Sequence, residues 1–260
     1  MFVATNRHGV EGTLRQVNPV AKSLYSHSLS GVDESPETLA RGDGVGGEIV
    51  LRRRNTGPGE IHELIVNGAF LMDTAETSTE RLLAEAVLDQ HPAPRRILIG
   101  GLGLGFTVRA LLDDPRVEHV DVVELEPLLV EWLRAGLVPG ADTTLADARV
   151  EIRIADVRDV LAEALPDSYD AILLDVDNGP GFLVHESNAH VYEPATLSTA
   201  ARALAGEGML AIWSAAPSDA LASTLADTIG DVAELVRTVR RQERDVEYHV
   251  YLARHPGRPG

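Results

Sequence analysis

The stretch that most limits how this chain can fold is Ile97-Leu98-Ile99. It runs directly into Gly100-Gly101-Leu102-Gly103-Leu104-Gly105, and a helical pattern follows from Phe106. An uninterrupted apolar strand suits burial on both faces, which calls for a sheet with helices above and below it. Glycines at a strand-to-helix turn reach positive φ and let the backbone approach a ligand closely. A tight turn that packs a helix onto a strand gives the same string, so context decides between the two. Here a second strand ends in Glu124, about 20 residues past the loop, where a carboxylate can accept both ribose hydroxyls. A third ends in Ala155-Asp156, a position suited to reading an adenine amino group. Loop, Glu124 and Asp156 all fall at carboxyl ends of strands, beside the switch point where open α/β sheets bind ligands.

The rest of the chain supplies the other layers. A helix is expected over Arg81–Asp89, with Ser78 or Thr79 as its cap and Pro92 and Pro94 beyond it. Strands at Arg96–Ile99, His119–Glu124, Val150–Ile154, Ala171–Asp175 and Met209–Trp213 alternate with helices at Phe106–Leu112, Leu128–Ala135, up to Leu165, and Pro194–Ala205. Ala220–Ile229 reads as a helix, and Val232–Val239 with Glu247–Ala253 as a closing strand pair. The expected fold class is α/β, a doubly wound and mostly parallel seven-stranded sheet. Before it, Glu48–Arg54 and Ile61–Leu71 flank the turn Asn55-Thr56-Gly57-Pro58-Gly59 and read as a small β subdomain. VDESPETLARGDGVGG reads as a flexible approach segment. The expected division is 1–76 for the N-terminus and β subdomain and 77–260 for the nucleotide-binding domain.

Charge and composition narrow the function. The chain has 260 residues, 40 acidic against 23 basic, a net charge of −17 and no cysteine. That excess of acid argues against a nucleic-acid partner, which needs a basic stripe to offset phosphate. Without cysteine there is no thiolate metal site and no cysteine nucleophile. Lys22 is the only lysine, which disfavours Schiff-base chemistry. No apolar run approaches the ~20 residues of a membrane span. The start, MFVATNRHGV, lacks the pattern of a signal peptide, so a cytoplasmic protein is expected.

Gly101-Leu102-Gly103-Leu104-Gly105 is G-x-G-x-G, not the dinucleotide G-x-G-x-x-G. Together with the strand pattern it resembles class I S-adenosylmethionine (SAM)-dependent methyltransferases over about residues 80–255. More narrowly, the chain resembles the spermidine synthase family. IVNGAFLMDTAETSTERLLAEAVL stands where that family has its substrate-gating strand and first helix, and YDAILLDVDNGP where it has its Asp-x-x-Asp loop. The resemblance implies a SAM-type donor bound by Gly100, Gly101, Gly103, Gly105, Glu124 and Asp156. It also implies a family that commonly dimerises, for which the β subdomain is a contact; the sequence itself establishes no oligomer.

The chain departs from the family pattern at the reacting groups. The family's acid inside the glycine loop, which helps select decarboxylated SAM, falls on Gly103. An acid there would repel the carboxylate of intact SAM, whereas glycine leaves room for it. The second Asp of the Asp-x-x-Asp pair falls on Asn178, the family's tyrosine near Thr79 and its glutamate near Arg81. Methyl transfer from SAM to a small-molecule acceptor is therefore the leading expectation. Aminopropyl transfer from decarboxylated SAM to a polyamine is the alternative, and a non-catalytic nucleotide-binding protein the third reading.

Asp175-Val176-Asp177-Asn178-Gly179-Pro180 is the candidate catalytic loop. A carboxylate at the strand end can orient or deprotonate an incoming nucleophile. Asp175, Asp177 and His185 are the candidate catalytic residues, with Glu186, Asn188, His190 and Tyr192 following in the same stretch. Asp175, Asp177, Asn178 and His185 together offer ligands for magnesium, but their spacing follows no ligand pattern, and no metal is expected. Asp73, Glu76 and Glu80 sit where a gate over the acceptor would be, or serve as acids favoured at a helix N-terminus. Trp213 reads as core or pocket wall.

Overall fold

The computed structural model describes residues 35–57, 59–176, 179–180, 186–241 and 244–256. Strands β1 (Glu37–Gly44), β2 (Gly47–Thr56), β3 (Gly59–Val66) and β4 (Ala69–Asp73) form an antiparallel sheet in the order β1-β2-β3-β4. Two features differ from the sequence expectation. Glu37–Gly44 is a strand and not a flexible segment; it pairs along β2 but buries little side-chain surface, so it carries no apolar alternation to read. The run Ile61–Leu71 is two strands, broken at Asn67 and Gly68. Their φ values of 51° and 74° suit a two-residue hairpin turn that twists with its strands. Asn67 then ties this turn to the neighbouring one: its Oδ1 accepts from Glu48 N at 3.0 Å and its Nδ2 donates to the Gly46 carbonyl at 2.7 Å.

The main sheet begins after α1 (Ser78–Gln90). It contains β5 (Arg96–Gly100), β6 (His119–Glu124), β7 (Val150–Ile154), β8 (Tyr169–Leu174), β9 (Leu204–Ser214), β10 (Asp231–Arg241) and β11 (Arg244–Arg254), in the order β10-β11-β9-β8-β5-β6-β7. The five strands from β9 to β7 are parallel, and β11 and β10 close the sheet antiparallel. Helices α2 (Phe106–Leu112), α3 (Pro127–Arg134), α4 (Ala141–Leu145), α5 (Val157–Glu163), α6 (Pro194–Ala203) and α7 (Asp219–Thr228) connect them, with a 3-10 segment at Glu186–Tyr192. At five residues, α4 is too short for a helical period to show in the sequence.

Ile97, Leu98 and Ile99 are fully buried because β5 is central and covered twice. Ile97 and Ile99 pack with Leu83 and Leu111 on one side, and Leu98 with Leu161 and Leu197 on the other. From β5 the chain runs outward through β6 and β7, then returns to β8 on the opposite flank. The strand order thus reverses between β5 and β8, and a crevice forms at their carboxyl ends. No helix among the described residues is long and apolar enough to cross a membrane.

Candidate active site

The glycines after β5 have separate physical roles. A Cβ on Gly100 would stand 2.8 Å from Val157 Cγ2, so this glycine lets α5 close on the strand. Gly101 has φ +97° and donates its N–H to the Val123 carbonyl at 2.9 Å. Its Cβ would fall 2.2 Å from the Asp175 carbonyl oxygen. Gly103, at φ +51°, faces Met72, whose Sδ would be 2.8 Å from an added Cβ. Gly105, at φ +85°, begins α2 with open space beside it. Gly101 and Gly103 line the cavity at the switch point, together with Glu80, Glu124, Asp156, Asp175, Asn188 and Trp213. Its apolar walls include Ile49, Leu64, Leu71 and Met72 of the first sheet.

Glu124, at the end of β6, is buried and holds the loop. Its Oε2 accepts from Leu102 N and its Oε1 from Glu126 N, each at 2.8 Å. Burial pushes its pKa up against those hydrogen bonds. Leu125 N–H is a third backbone donor to this carboxylate, which leaves one of its about four acceptor directions for a ligand hydroxyl. Asp156 is the N-cap of α5 and accepts from Arg158 N at 2.8 Å. Arg158 also grips both of its oxygens, with Nε at 3.0 and 3.1 Å and Nη2 at 2.6 Å. The paired guanidinium holds Asp156 below the usual carboxylate range. A ligand amino group at Asp156 would therefore share a carboxylate already committed to Arg158.

Asp175 follows β8 directly, its N–H donating to the Gly100 carbonyl at 2.8 Å. The Thr107 hydroxyl lies 3.3 Å from both Asp175 Oδ2 and the Glu80 carbonyl oxygen. Burial pushes the Asp175 carboxyl up to about 7; the negative charges of Glu80 and Glu124 add to the rise, and the Thr107 hydrogen bond opposes it. Glu80→Gln removes the larger of those two charges. The acidic limb of the pH–rate profile is then expected to move to lower pH, as read by turnover between pH 5 and 9.

The structure sorts the three N-terminal acids. Asp73 Oδ1 accepts from Ala75 N and Glu76 N, and Glu76 Oε1 from Ser78 N, so these two shape the turn into α1. Glu80 alone lines the cavity. Thr77, without a side-chain cap bond, precedes α1 where Ser78 or Thr79 was expected to cap it. Thr79 is buried and donates instead to Glu80 Oε2 at 2.8 Å. Asp177, Asn178 and His185 lie outside the described residues. His190 Nδ1 is 2.9 Å from Glu193 Oε1 on an exposed surface. Tyr192 donates to the Val176 carbonyl at 2.6 Å and anchors the segment after Asp175. Among the described residues, one group of metal-capable side chains clusters, His119, Asp121 and Glu151. Arg153 occupies it, with Nη2 3.4 Å from Asp121 and Nε 3.2 Å from Glu151.

Residues 76–230 match the family model for the spermine/spermidine synthase domain. The chain belongs to that family. Among curated proteins it is similar to a polyamine aminopropyltransferase of Mycobacterium tuberculosis, 30% identical over 174 residues, which is 65% of this chain and 31% of that protein. Polyamine aminopropyltransferase 2 of Pseudomonas aeruginosa is 34% identical over 122 residues, 45% of this chain and 35% of that protein. Putrescine N-methyltransferase 2 of Nicotiana tabacum is 31% identical over 94 residues, 36% of this chain and 26% of that protein. The chain thus spans about a third of the length of the first two relatives and a quarter of the third. In fold it is similar to the spermidine synthase of Thermotoga maritima, with TM-score 0.71, 19% identity, and coverage of 84% of this chain and 72% of that one. The membership and the seven-stranded α/β fold agree with the sequence resemblance. The lead given to methyl transfer does not have the same support, because the relatives favour aminopropyl transfer.

Proposed function

We propose that this protein transfers an aminopropyl group from decarboxylated SAM to a nitrogen of a small amine. The carrying observation is Asp175, held at the switch point beside Glu80 and within contact of the glycine loop. The positive-φ glycines and the remaining acceptor direction on Glu124 suit a nucleoside in the β5–β6 half of the crevice. When bound, the sulfonium donor supplies the electrophilic carbon and departs as a neutral thioether. Asp175 and Glu80 attract the ammonium form of the acceptor. Asp175, with a carboxyl that ionises near neutrality, takes the proton that nitrogen must lose in forming its new bond. The Thr107 hydroxyl donates to the carboxylate, the Gly100 carbonyl fixes the Asp175 backbone, and the apolar walls exclude water.

Methyl transfer from intact SAM is the second reading, favoured by Gly103, which puts no acid near the donor's carboxylate, and by the N-methyltransferase relative. Mass spectrometry of reactions containing 1,4-diaminobutane and either donor separates the two. The expected products are an aminopropylated amine and 5′-methylthioadenosine from decarboxylated SAM. An N-methylated amine with S-adenosylhomocysteine from intact SAM would reverse the order. Turnover of neither donor, with nucleoside binding retained, would favour the nucleotide-binding reading.

A further inference from the structure

Helix α3 has an unusual N-cap. Glu126 precedes it and accepts the Leu128 N–H on Oε1 at 3.0 Å. Asp, Asn, Ser and Thr are the residues favoured there, because a short side chain already reaches the free N–H groups of the first turn. The extra methylene of Glu126 has a use elsewhere. Its Oε2 accepts the Val45 N–H at 2.7 Å, from a residue 81 positions away.

Val45 lies between β1 and β2, so one carboxylate joins the first sheet to the start of α3. Strand β1 is shaped for this approach. Gly42 and Gly44 are two residues apart and share a face of the strand. A Cβ on Gly42 would stand 2.6 Å from Leu128 Cδ1, and one on Gly44 would stand 2.0 Å from Glu126 Oε2. With no side chain at either position, the strand lies directly on the first turn of α3.

The 44–47 turn thereby arrives at the β6 end of the crevice. Val45, Gly46 and Gly47 line the cavity alongside Glu124 and Glu126. The Glu126 N–H donates to Glu124 Oε1, so the residue that seats the turn holds Glu124 as well. Val45 is 62% exposed, an apolar side chain left facing solvent at the cavity. All of the turn precedes residues 76–230, the part that the family model matches.

We propose that Glu126 is a positioning residue for the donor: it seats the 44–47 turn over the nucleoside half of the crevice, where Val45 packs on the bound nucleoside. The proposal rests on the nucleoside reading of that half and goes beyond it by making the first sheet part of the donor site.

Two variants break the Val45 bond from opposite sides. Glu126→Asp keeps a favoured cap but is one methylene short of the turn. Gly44→Ala puts a methyl where the carboxylate now sits, at a φ outside the left-handed region. In calorimetric titration each is expected to weaken 5′-methylthioadenosine binding about tenfold, the scale of one hydrogen bond to a charged group. The double variant is expected to match the worse single within about twofold, because both changes remove the same bond. In turnover, KM for decarboxylated SAM should rise alongside, with kcat and the KM for 1,4-diaminobutane within about twofold of wild type. Unchanged affinity in both singles, losses that multiply in the double, or a kcat that falls with donor KM unchanged would each overturn the proposal and leave amine transfer intact. A wild type without turnover, whose 5′-methylthioadenosine binding is weakened in the variants as expected, would overturn amine transfer and leave this inference standing. No binding of 5′-methylthioadenosine to the wild type would overturn the nucleoside reading and this inference with it. Either single variant alone tests the affinity should the other fold poorly.

Discussion

Gly101→Ala is expected to weaken 5′-methylthioadenosine binding by about 100-fold, equivalent to ~3 kcal/mol. Two effects combine at this position. The backbone sits at φ +97°, where an alanine is strained by about 1 kcal/mol. In addition the new methyl would stand 2.2 Å from the Asp175 carbonyl oxygen and 2.9 Å from its carbonyl carbon. Neither atom belongs to a flexible side chain, so the glycine loop and the segment after β8 must move apart. That movement loosens the hydrogen bond from Asp175 N–H to Gly100 and disturbs the Leu102 amide that Glu124 holds. A global destabilisation of about 2–4 kcal/mol should accompany it. Gly105→Ala is the control, because it carries similar strain at φ +85° but meets no atom within 4 Å. It is expected to cost about 1 kcal/mol and to keep nucleoside affinity. Calorimetry and urea unfolding of both variants give the comparison; equal losses of affinity would mean that strain alone, and not the contact with Asp175, explains the effect.

The parts of the fold that the sequence made legible are those in which burial writes a pattern. Ile97-Leu98-Ile99 is apolar throughout because both faces of β5 are covered, and the closing hairpin β10–β11 follows the expected segments. Strand β1 was hidden because it is an edge strand held by backbone pairing, with little apolar surface to mark it. The turn at Asn67-Gly68 did carry its own signal, an Asn-Gly pair inside a β run, which a reading of the apolar residues alone passes over. The site divides in the same way. Glu124 and Asp175 were placed by strand-end position, which topology fixes. Glu80 was legible too, since it stands three, four and seven residues before the buried Leu83, Ala84 and Val87 of α1, on the same face. The engagement of Asp156 by Arg158 belongs to a local Asp-x-Arg pattern that recurs as Asp114 with Arg116 and Asp147 with Arg149.

Asp175→Asn is expected to lower turnover by about 1000-fold, within the range for loss of a positioned general base, and to make the protein more stable at pH 8. Both effects follow from a carboxyl pushed up to about 7 by burial and by Glu80. In the unfolded chain the same group ionises near pH 4. Between those two values the folded state holds a proton that the unfolded state has released. Raising the pH through this window therefore destabilises the native state, and above about pH 7 the penalty is constant. Three pKa units correspond to ~4 kcal/mol. This is an upper limit, because Asp175 is only partly shielded from solvent. The variant lacks the titrating group, so its advantage in urea unfolding should be largest at pH 8 and shrink toward zero near pH 4. Wild-type turnover should rise along the same curve, levelling off above about pH 7 as the carboxylate becomes able to accept the proton. A stability difference independent of pH would show that Asp175 does not titrate in this window. Full turnover in Asp175→Asn would show that the amine loses its proton elsewhere. If both expectations hold, the chain keeps at β8 a charge that weakens its fold and that the reaction requires.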